Sequence, residues 1–353
     1  MKTRLSRARE FLKGLDAILL YSRANISYLS GYTGSDAILV FTDTHACLFV
    51  DSRNTLQAKQ EASIEVFEIS KRWEEIYEHL DGLGVKTLGI ESNVIDVDSF
   101  IQIKDLFKGI EITPLGKQLV YMRAIKDSHE IALMKKAALI AEEALSRVLM
   151  AGIVGRREQD VAFDMECEMK RLGAGAVSFE LIVASGDRSA MPHGTATEKI
   201  IQTDEPVVID FGAVYNGYCS DQTVTIHTGK AGDDFTEVYN HVLKAQSLAV
   251  KELASGMKAS YIDKCARAYL ESAGLGKYFG HGLGHGVGME VHEMPTLSPR
   301  SDDTLDEAMV VTVEPGVYLP GKFGIRLEDT FMITDNSCQR ITNIAKEAIQ
   351  VIN

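Results

Sequence analysis

The sequence predicts an α/β domain followed by an α+β domain, and three features carry that prediction. Short apolar runs alternate with amphipathic stretches through the first third of the chain. One long helical stretch then breaks the alternation. After it, helices lie ahead of and between clustered strands, the grouping of an α+β domain with an antiparallel sheet.

In the first third, DAILLYS (16–22), AILVFTD (37–43) and ACLFVDS (46–52) read as strands. TLQAKQEA (55–62), RWEEIYEHL (72–80) and SFIQIKDLF (99–107) read as helices between or after them. The pattern changes between about Leu119 and Asp127, and from Ser128 to Leu149 apolar positions recur at three and four, predicting one helix. A second helix is expected over Glu158 to Arg171, then strands in FELIVASG (179–186) and PVVIDFGAVY (206–215). Two further helices follow, near Asp233 to Ala254 and Tyr261 to Ala273. The last third is strand-rich, with HGVGMEVHE (285–293), MVVTVEPGVYL (309–319) and GIRLEDTFMIT (324–334) as its strand-like segments. No solenoid period and no low-complexity tract interrupts this order.

The chain's 353 residues suffice for two buried cores, and 45% hydrophobic with 25% charged residues is ordinary for a globular protein. The formal net charge of −13 argues against a surface built to neutralise nucleic-acid phosphates or anionic lipid, which needs clustered Lys and Arg. Five cysteines, scattered and never in a CxxC arrangement, suggest neither a disulfide framework nor a thiolate zinc site and fit a reducing cytoplasm. The first residues show no export signal, and no segment approaches ~18 uninterrupted apolar residues. The expectation is a cytoplasmic protein that binds neither nucleic acid nor membrane.

Chemistry concentrates in the second part. Asn216-Gly217 between apolar runs is a strong two-residue hairpin signal, because a type I′ turn needs positive φ at both central residues. A turn centred there pairs Tyr215 with Tyr218, Gly212 with Asp221 and Asp210 with Thr223. Asp210 and Asp221 then lie diagonally on one face, roughly 7–8 Å apart at the backbone, with Gly212 leaving room beside the second. Two like charges amid Val and Ile are costly unless protonated, solvated or bound to cations; a shifted register with one Asp facing water is the plainer alternative. Glu314 and Glu328 sit in or at the end of apolar runs where a carboxylate is again out of place. Arg326, two residues before Glu328, is expected on the same strand face, where an ordinary Arg–Glu pair would explain it.

GHGLGHGVG (280–288) places glycine at alternate positions with His281 and His285 between them. Such a run makes a helix very unfavourable, and its spacing matches neither a dinucleotide loop nor a P-loop. In extended chain the two histidines share a face about 13 Å apart at ~3.3 Å per residue, so one is a candidate ligand and the other is free to touch substrate. Glycines along one strand face permit close backbone approach. His193 and His292 are loop histidines by their immediate context. Two Asp, one His and two Glu form the ligand set of two hard or borderline divalent ions, the imidazole favouring Mn, Co, Zn or Fe over Mg or Ca. Such a pair activates water and polarises a carbonyl, which implies metal-assisted hydrolysis.

These segments, in their order and spacing, resemble the metallopeptidase family of the pita-bread fold, which includes prolidase (Xaa-Pro dipeptidase), aminopeptidase P, methionine aminopeptidase and creatinase. DFGAVYNGYCSDQT, HGLGHGVGMEVHE, VTVEPGVY and GIRLEDT carry the resemblance in the second part. ANISYLSGYTGSDA and LFVDSRNTLQAKQEA are similar to the creatinase and prolidase N-terminal module, which methionine aminopeptidases lack. The resemblance implies an α+β architecture: a smaller N-terminal α/β creatinase-like domain over 1–122 and a catalytic pita-bread domain over 127–353. It implies Asp210, Asp221, His285, Glu314 and Glu328 as metal ligands for two divalent ions per subunit, manganese first, with cobalt or zinc as alternatives. His193, His292 and Glu314 are implied as catalytic, Glu314 relaying a proton and the histidines stabilising the oxyanion or holding substrate. His281, His292 and Arg326 are implied as substrate-binding, with His281 near the proline side.

The activity so implied is cleavage of the bond between an N-terminal residue and proline, as an Xaa-Pro dipeptidase working as a homodimer. An aminopeptidase P acting on longer Xaa-Pro peptides and a non-catalytic peptide-binding relative are the alternatives. The chain departs from the family at Asp221-Gln222-Thr223-Val224-Thr225, where many relatives read D-x-T-R-T, and at Asn54, where an aromatic residue is common. Neither departure touches a ligand, so both bear on packing or subunit contacts.

Overall fold

The structure is a computed structural model that describes residues 2–346 and 351–352. The chain divides into two compact units, Met1–Arg123 and Ala124–Asn353.

The first unit is built on a six-stranded sheet in the order β4-β3-β2-β1-β5-β6. Its strands are β1 (Ala17–Leu20), β2 (Ala37–Thr42), β3 (Ala46–Val50), β4 (Glu65–Glu68), β5 (Thr87–Ile90) and β6 (Glu111–Pro114). β1, β2 and β3 form an antiparallel meander, to which β4, β5 and β6 add in parallel. Parallel neighbours need crossovers, and the helices Thr55–Glu61, Arg72–Gly82 and Val97–Leu106 provide them. All four residues of β1 are buried, as a central strand covered on both faces requires. Leu19, Val40, Phe49, Trp73, Ile76 and Leu88 belong to the core that results.

The second unit opens with the helix Ser128–Met150, whose start is fixed by a capping box between Asp127 and Glu130. Its strands are β7 (Ala176–Val177), β8 (Ile182–Ser185), β9 (Pro206–Phe211), β10 (Ala213–Tyr215), β11 (Tyr218–Cys219), β12 (Gln222–Thr228), β13 (Gly284–Gly286), β14 (Glu293–Leu297), β15 (Val310–Val313), β16 (Gly316–Leu319), β17 (Phe323–Arg326), β18 (Asp329–Ile333) and β19 (Cys338–Arg340). β8, β9 and β12 form one antiparallel group, and β14-β13-β15-β18-β19 another. Each group buries its apolar face against a helix pair. Ile140, Leu145, Val161 and Met165 of Ser128–Met150 and Glu158–Arg171 pack with Val207, Ile209, Phe211 and Val224. Val242, Ala245, Ile262 and Ala266 of Asp233–Lys251 and Ala259–Ser272 pack with Val311, Val313, Leu327 and Phe331. Val224, in the stretch Asp221-Gln222-Thr223-Val224-Thr225, is thus core.

The predicted hairpin forms, with Tyr215 opposite Tyr218 and Asp210 opposite Thr223. Asn216 and Gly217 take φ of 47° and 82°, the positive values a type I′ turn demands. Gly212 serves another purpose than room beside Asp221. A Cβ there would stand 2.0 Å from the Ser220 carbonyl oxygen, so glycine is what lets the two backbones meet. HGVGMEVHE is not one strand. Only its first two residues extend β13, and residues 287–292 reverse the chain so that β14 pairs back on β13.

Glu158 ties the helix Glu158–Arg171 to the loop that carries His193. Fully buried, it accepts from the backbone N and hydroxyl of Ser185 (both 2.8 Å), Arg188 Nε (3.0 Å), and the N and hydroxyl of Thr197 (3.1 and 2.8 Å). Burial raises its carboxyl, but the bonds from Ser185, Thr197 and Arg188 outweigh it and hold the group below the usual 4.5. A depressed folded-state value contributes stability above the unfolded one, and that contribution is lost as pH falls through the folded value. Glu158→Ala is therefore expected to cost about 3 kcal/mol in urea unfolding near neutrality. The gap from wild type should narrow as the pH is taken below 4.5.

Candidate metal centre

The local folding of the second unit delivers five ligand-type side chains to one pocket. Asp210 comes from β9 and Asp221 from the irregular step before β12, so the hairpin register puts both on the same face. His285 is the middle residue of β13; Gly284 and Gly286 flank it on the opposite face, where a Cβ would stand 2.1 Å from the carbonyl oxygens of Thr312 and Met294. The alternating glycines let that strand press against its neighbours while the imidazole points away from them. Glu314 follows β15 and Glu328 precedes β18, where the ladder ends at Val313 opposite Asp329.

His285 Nε2 lies 3.5 Å from Asp221 Oδ2 and 3.4 Å from Glu314 Oε1. Single ligand atoms of Asp221, His285 and Glu328 fall within 4.8 Å of one another. His285 Nδ1 is 3.1 Å from the Gly286 carbonyl oxygen, a bond that takes the ring proton on Nδ1 and leaves Nε2 as the lone pair facing the carboxylates. Asp210 Oδ1 and Glu328 Oε1 are buried without a hydrogen-bond partner. Buried anionic oxygens without partners are costly, and a cation satisfies them. The residues present therefore fit divalent metal ions, which carboxylate oxygens and one neutral imidazole suit.

Arg326 is placed differently from expectation. β17 ends at Arg326 and β18 begins at Asp329, so Arg326 and Glu328 do not share a strand. Its carboxylate partner is Asp210, at 2.6 Å from Nη2. It reaches Glu328 only through Thr223, whose hydroxyl accepts from Arg326 Nε (3.1 Å) and donates to Glu328 Oε2 (2.6 Å). Nη1 donates to the Pro192 carbonyl and to the Tyr318 hydroxyl, both at 2.9 Å. The guanidinium is thus engaged on all sides and braces the wall of the pocket.

That pocket has a volume of about 500 Å³, and His193, His281, His292 and Arg326 line it with the five ligand-type residues. His292 packs edge-on against His285 with ring centroids 4.3 Å apart. His281 Nε2 is 3.1 Å from the Tyr318 hydroxyl, and burial draws its pKa down to about 4. Sequence reasoning missed Tyr318, Thr223 and Thr312. Tyr318 reads as strand filling, while Thr223 was marked by the register that sets it opposite Asp210. Thr312 accepts from the His285 backbone N at 3.1 Å.

Residues 132–335 match metallopeptidase family M24, and residues 4–125 match the Creatinase/Prolidase N-terminal domain. The chain belongs to family M24. A curated M24 relative, the Xaa-Pro dipeptidase of Pyrococcus horikoshii, is 38% identical over 355 residues that cover 99% of each chain. Among solved structures, the X-Pro aminopeptidase from Thermotoga maritima superimposes with a TM-score of 0.91 at 38% identity, covering 98% of this chain and 100% of that one. The Xaa-Pro dipeptidase from Bacillus anthracis gives 0.94 at 38% identity, covering 99% and 98%. The second unit accordingly has the pita-bread fold of M24 and the first the creatinase N-terminal fold, and the chain is a metallopeptidase that takes divalent metal ions.

The electrostatics of this M24 site have a measurable consequence. Burial, then the charges of Glu328, Asp210 and Glu314, push the Asp221 carboxyl well above its usual 3.8. Burial and Glu328 raise Glu314 likewise, and burial with Asp210 pushes Glu328 up to about 8. Burial, with His292 beside it, draws His285 down to about 4, so the imidazole is neutral and ready to ligate. A carboxyl whose folded-state value is raised keeps its proton where the unfolded chain has lost it. Metal-free protein therefore loses stability as pH rises from about 4 to about 8. In the presence of EDTA, the melting temperature is expected to be lower near pH 8 than near pH 6, with added manganese raising it more at the higher pH. A metal-free melting temperature that rises over this range contradicts the assignment.

Proposed function

We propose that this M24 peptidase hydrolyses the bond between an N-terminal residue and a following proline, acting as an Xaa-Pro dipeptidase. The observation that carries the proposal is the convergence of four carboxylates and one neutral imidazole on a single pocket, in a chain alike over its whole length to proteins named for this activity. Asp210, Asp221, His285, Glu314 and Glu328 would hold two divalent ions, manganese first, with cobalt or zinc as alternatives. When bound, such a pair lowers the pKa of water at the site and acts as a Lewis acid toward the scissile carbonyl.

The chain's own groups supply the rest. Glu314, in the pocket wall beside His285, takes the proton of the attacking water and returns it to the departing proline nitrogen. His193 and His292, in the pocket wall, donate to the carbonyl oxygen as it gains charge or hold the substrate. His281, neutral and held by Tyr318, faces the proline side, and Arg326 fixes Asp210 and the Pro192 turn beside His193. The likeness to the Thermotoga maritima X-Pro aminopeptidase keeps a second reading in view, cleavage of longer Xaa-Pro peptides. The proposal places the chain in the cytoplasm, supported by five unpaired cysteines, and as a homodimer, on resemblance alone.

At saturating manganese, Glu314→Ala is expected to lower kcat on an Xaa-Pro dipeptide by 10²-fold or more, about the contribution of a positioned acid–base group. Near wild-type hydrolysis by the purified variant would overturn the role. Comparing Xaa-Pro dipeptides with Xaa-Pro-Xaa tripeptides decides the substrate class. The proposal predicts faster cleavage of dipeptides, and the reverse preference supports the aminopeptidase reading.

A further inference from the structure

The two glutamates of the site lie where one ladder gives way to the next: the β15–β18 ladder ends at the Val313–Asp329 pair and the β16–β17 ladder begins at Gly316–Arg326. Between those pairs the ladder thins to Leu327 N donating to the Pro315 carbonyl at 3.3 Å. Pro315 has no N–H to extend it. Behind the junction stands Gln246, a residue of the helix Asp233–Lys251 that is 5% exposed. Its amide Nε2 lies 3.1 Å from the Val313 carbonyl, 3.3 Å from the Leu327 carbonyl and 3.2 Å from Asp329 Oδ2. Val313 is the residue before Glu314; Leu327 and Asp329 flank Glu328.

Asp329 is itself fixed. It is 2% exposed and accepts from Lys346 Nζ (2.6 Å), Thr342 Oγ1 (2.7 Å) and Arg340 Nη2 (2.9 Å). Gln246 does not line the catalytic pocket; with Asp329 and Arg340 it lines a separate concavity of about 480 Å³. It therefore cannot touch a substrate in that pocket, and any effect it has on the reaction runs through the strand ends.

We infer that Gln246 is the positioning residue that sets the relative placement of Glu314 and Glu328, and through it the affinity of the site for divalent cations. The inference rests on the reading of those glutamates as metal ligands. One amide reaches both segments and the buried aspartate in the gap between the two ladders, so the two carboxylates are carried on a rigid junction. Partners that orient metal ligands from behind commonly change affinity or activity by 10–100-fold when removed.

The test titrates full-length wild type and Gln246→Met with manganese by calorimetry, with Gln246→Leu as a second variant of similar size that lacks the donor. Whichever variant keeps a cooperative thermal transition is read. The expected result is a manganese Kd raised 10–100-fold, together with a kcat that falls at saturating manganese while KM for an Xaa-Pro dipeptide stays within about two-fold of wild type. A folded variant with wild-type Kd and kcat overturns the role of Gln246 while leaving the metal site standing. A wild-type protein that takes up no manganese overturns both.

Discussion

Everything in the second unit answers to one electrostatic constraint: Asp210, Asp221, Glu314 and Glu328 share a buried pocket whose wall, among the described residues, carries Arg326 as its one Lys or Arg, paired with Asp210. Like charges in a medium of low dielectric raise one another's pKa, and the carboxyls of Asp221, Glu314 and Glu328 are all pushed up. An arrangement of this kind is unfavourable as a structural device, because removing carboxylates from water is not compensated by a lone guanidinium. It makes sense as a receptacle for more positive charge. Divalent cations convert the same repulsion into binding energy, and the neutral imidazole of His285 adds a ligand without adding charge.

The scaffold meets this constraint by bracing Asp210 and Glu328 through side chains and by holding the backbone beside the glutamates from behind. Backbone register sets Asp210 against Thr223. Thr223 in turn donates to Glu328, and Arg326 braces Asp210, Tyr318 and the Pro192 turn. Gln246 and Asp329 hold the strand ends beside the glutamates. Glu158 anchors the loop that brings His193 to the pocket rim. Side chains locked by such partners hold a site's geometry more firmly than side chains left free.

Much of this was legible in the sequence, where a local rule determines the outcome. The Asn216-Gly217 turn fixed the register, and with it the relation of Asp210 to Asp221, because positive φ at two consecutive residues leaves few alternatives. The glycines around His285 announced a close backbone approach, which the Thr312 and Met294 carbonyls realise. Long-range pairing was not legible. Arg326 reads as the natural partner of Glu328 two residues on, yet a break between β17 and β18 turns it to Asp210, 116 positions away. HGVGMEVHE alternates like a strand, but a reversal within it brings His292 back onto His285. Gln246 has no local signal at all, being a polar residue on an amphipathic helix whose partners lie 67 to 83 positions downstream.

The central claim is that the buried carboxylates are there to hold cations. Anomalous scattering at the manganese absorption edge, from crystals grown with saturating manganese, tests it most directly. Two peaks enclosed by Asp210, Asp221, His285, Glu314 and Glu328 are the predicted result. A pocket without anomalous density, with the four carboxylates packed against one another as they stand, would contradict it.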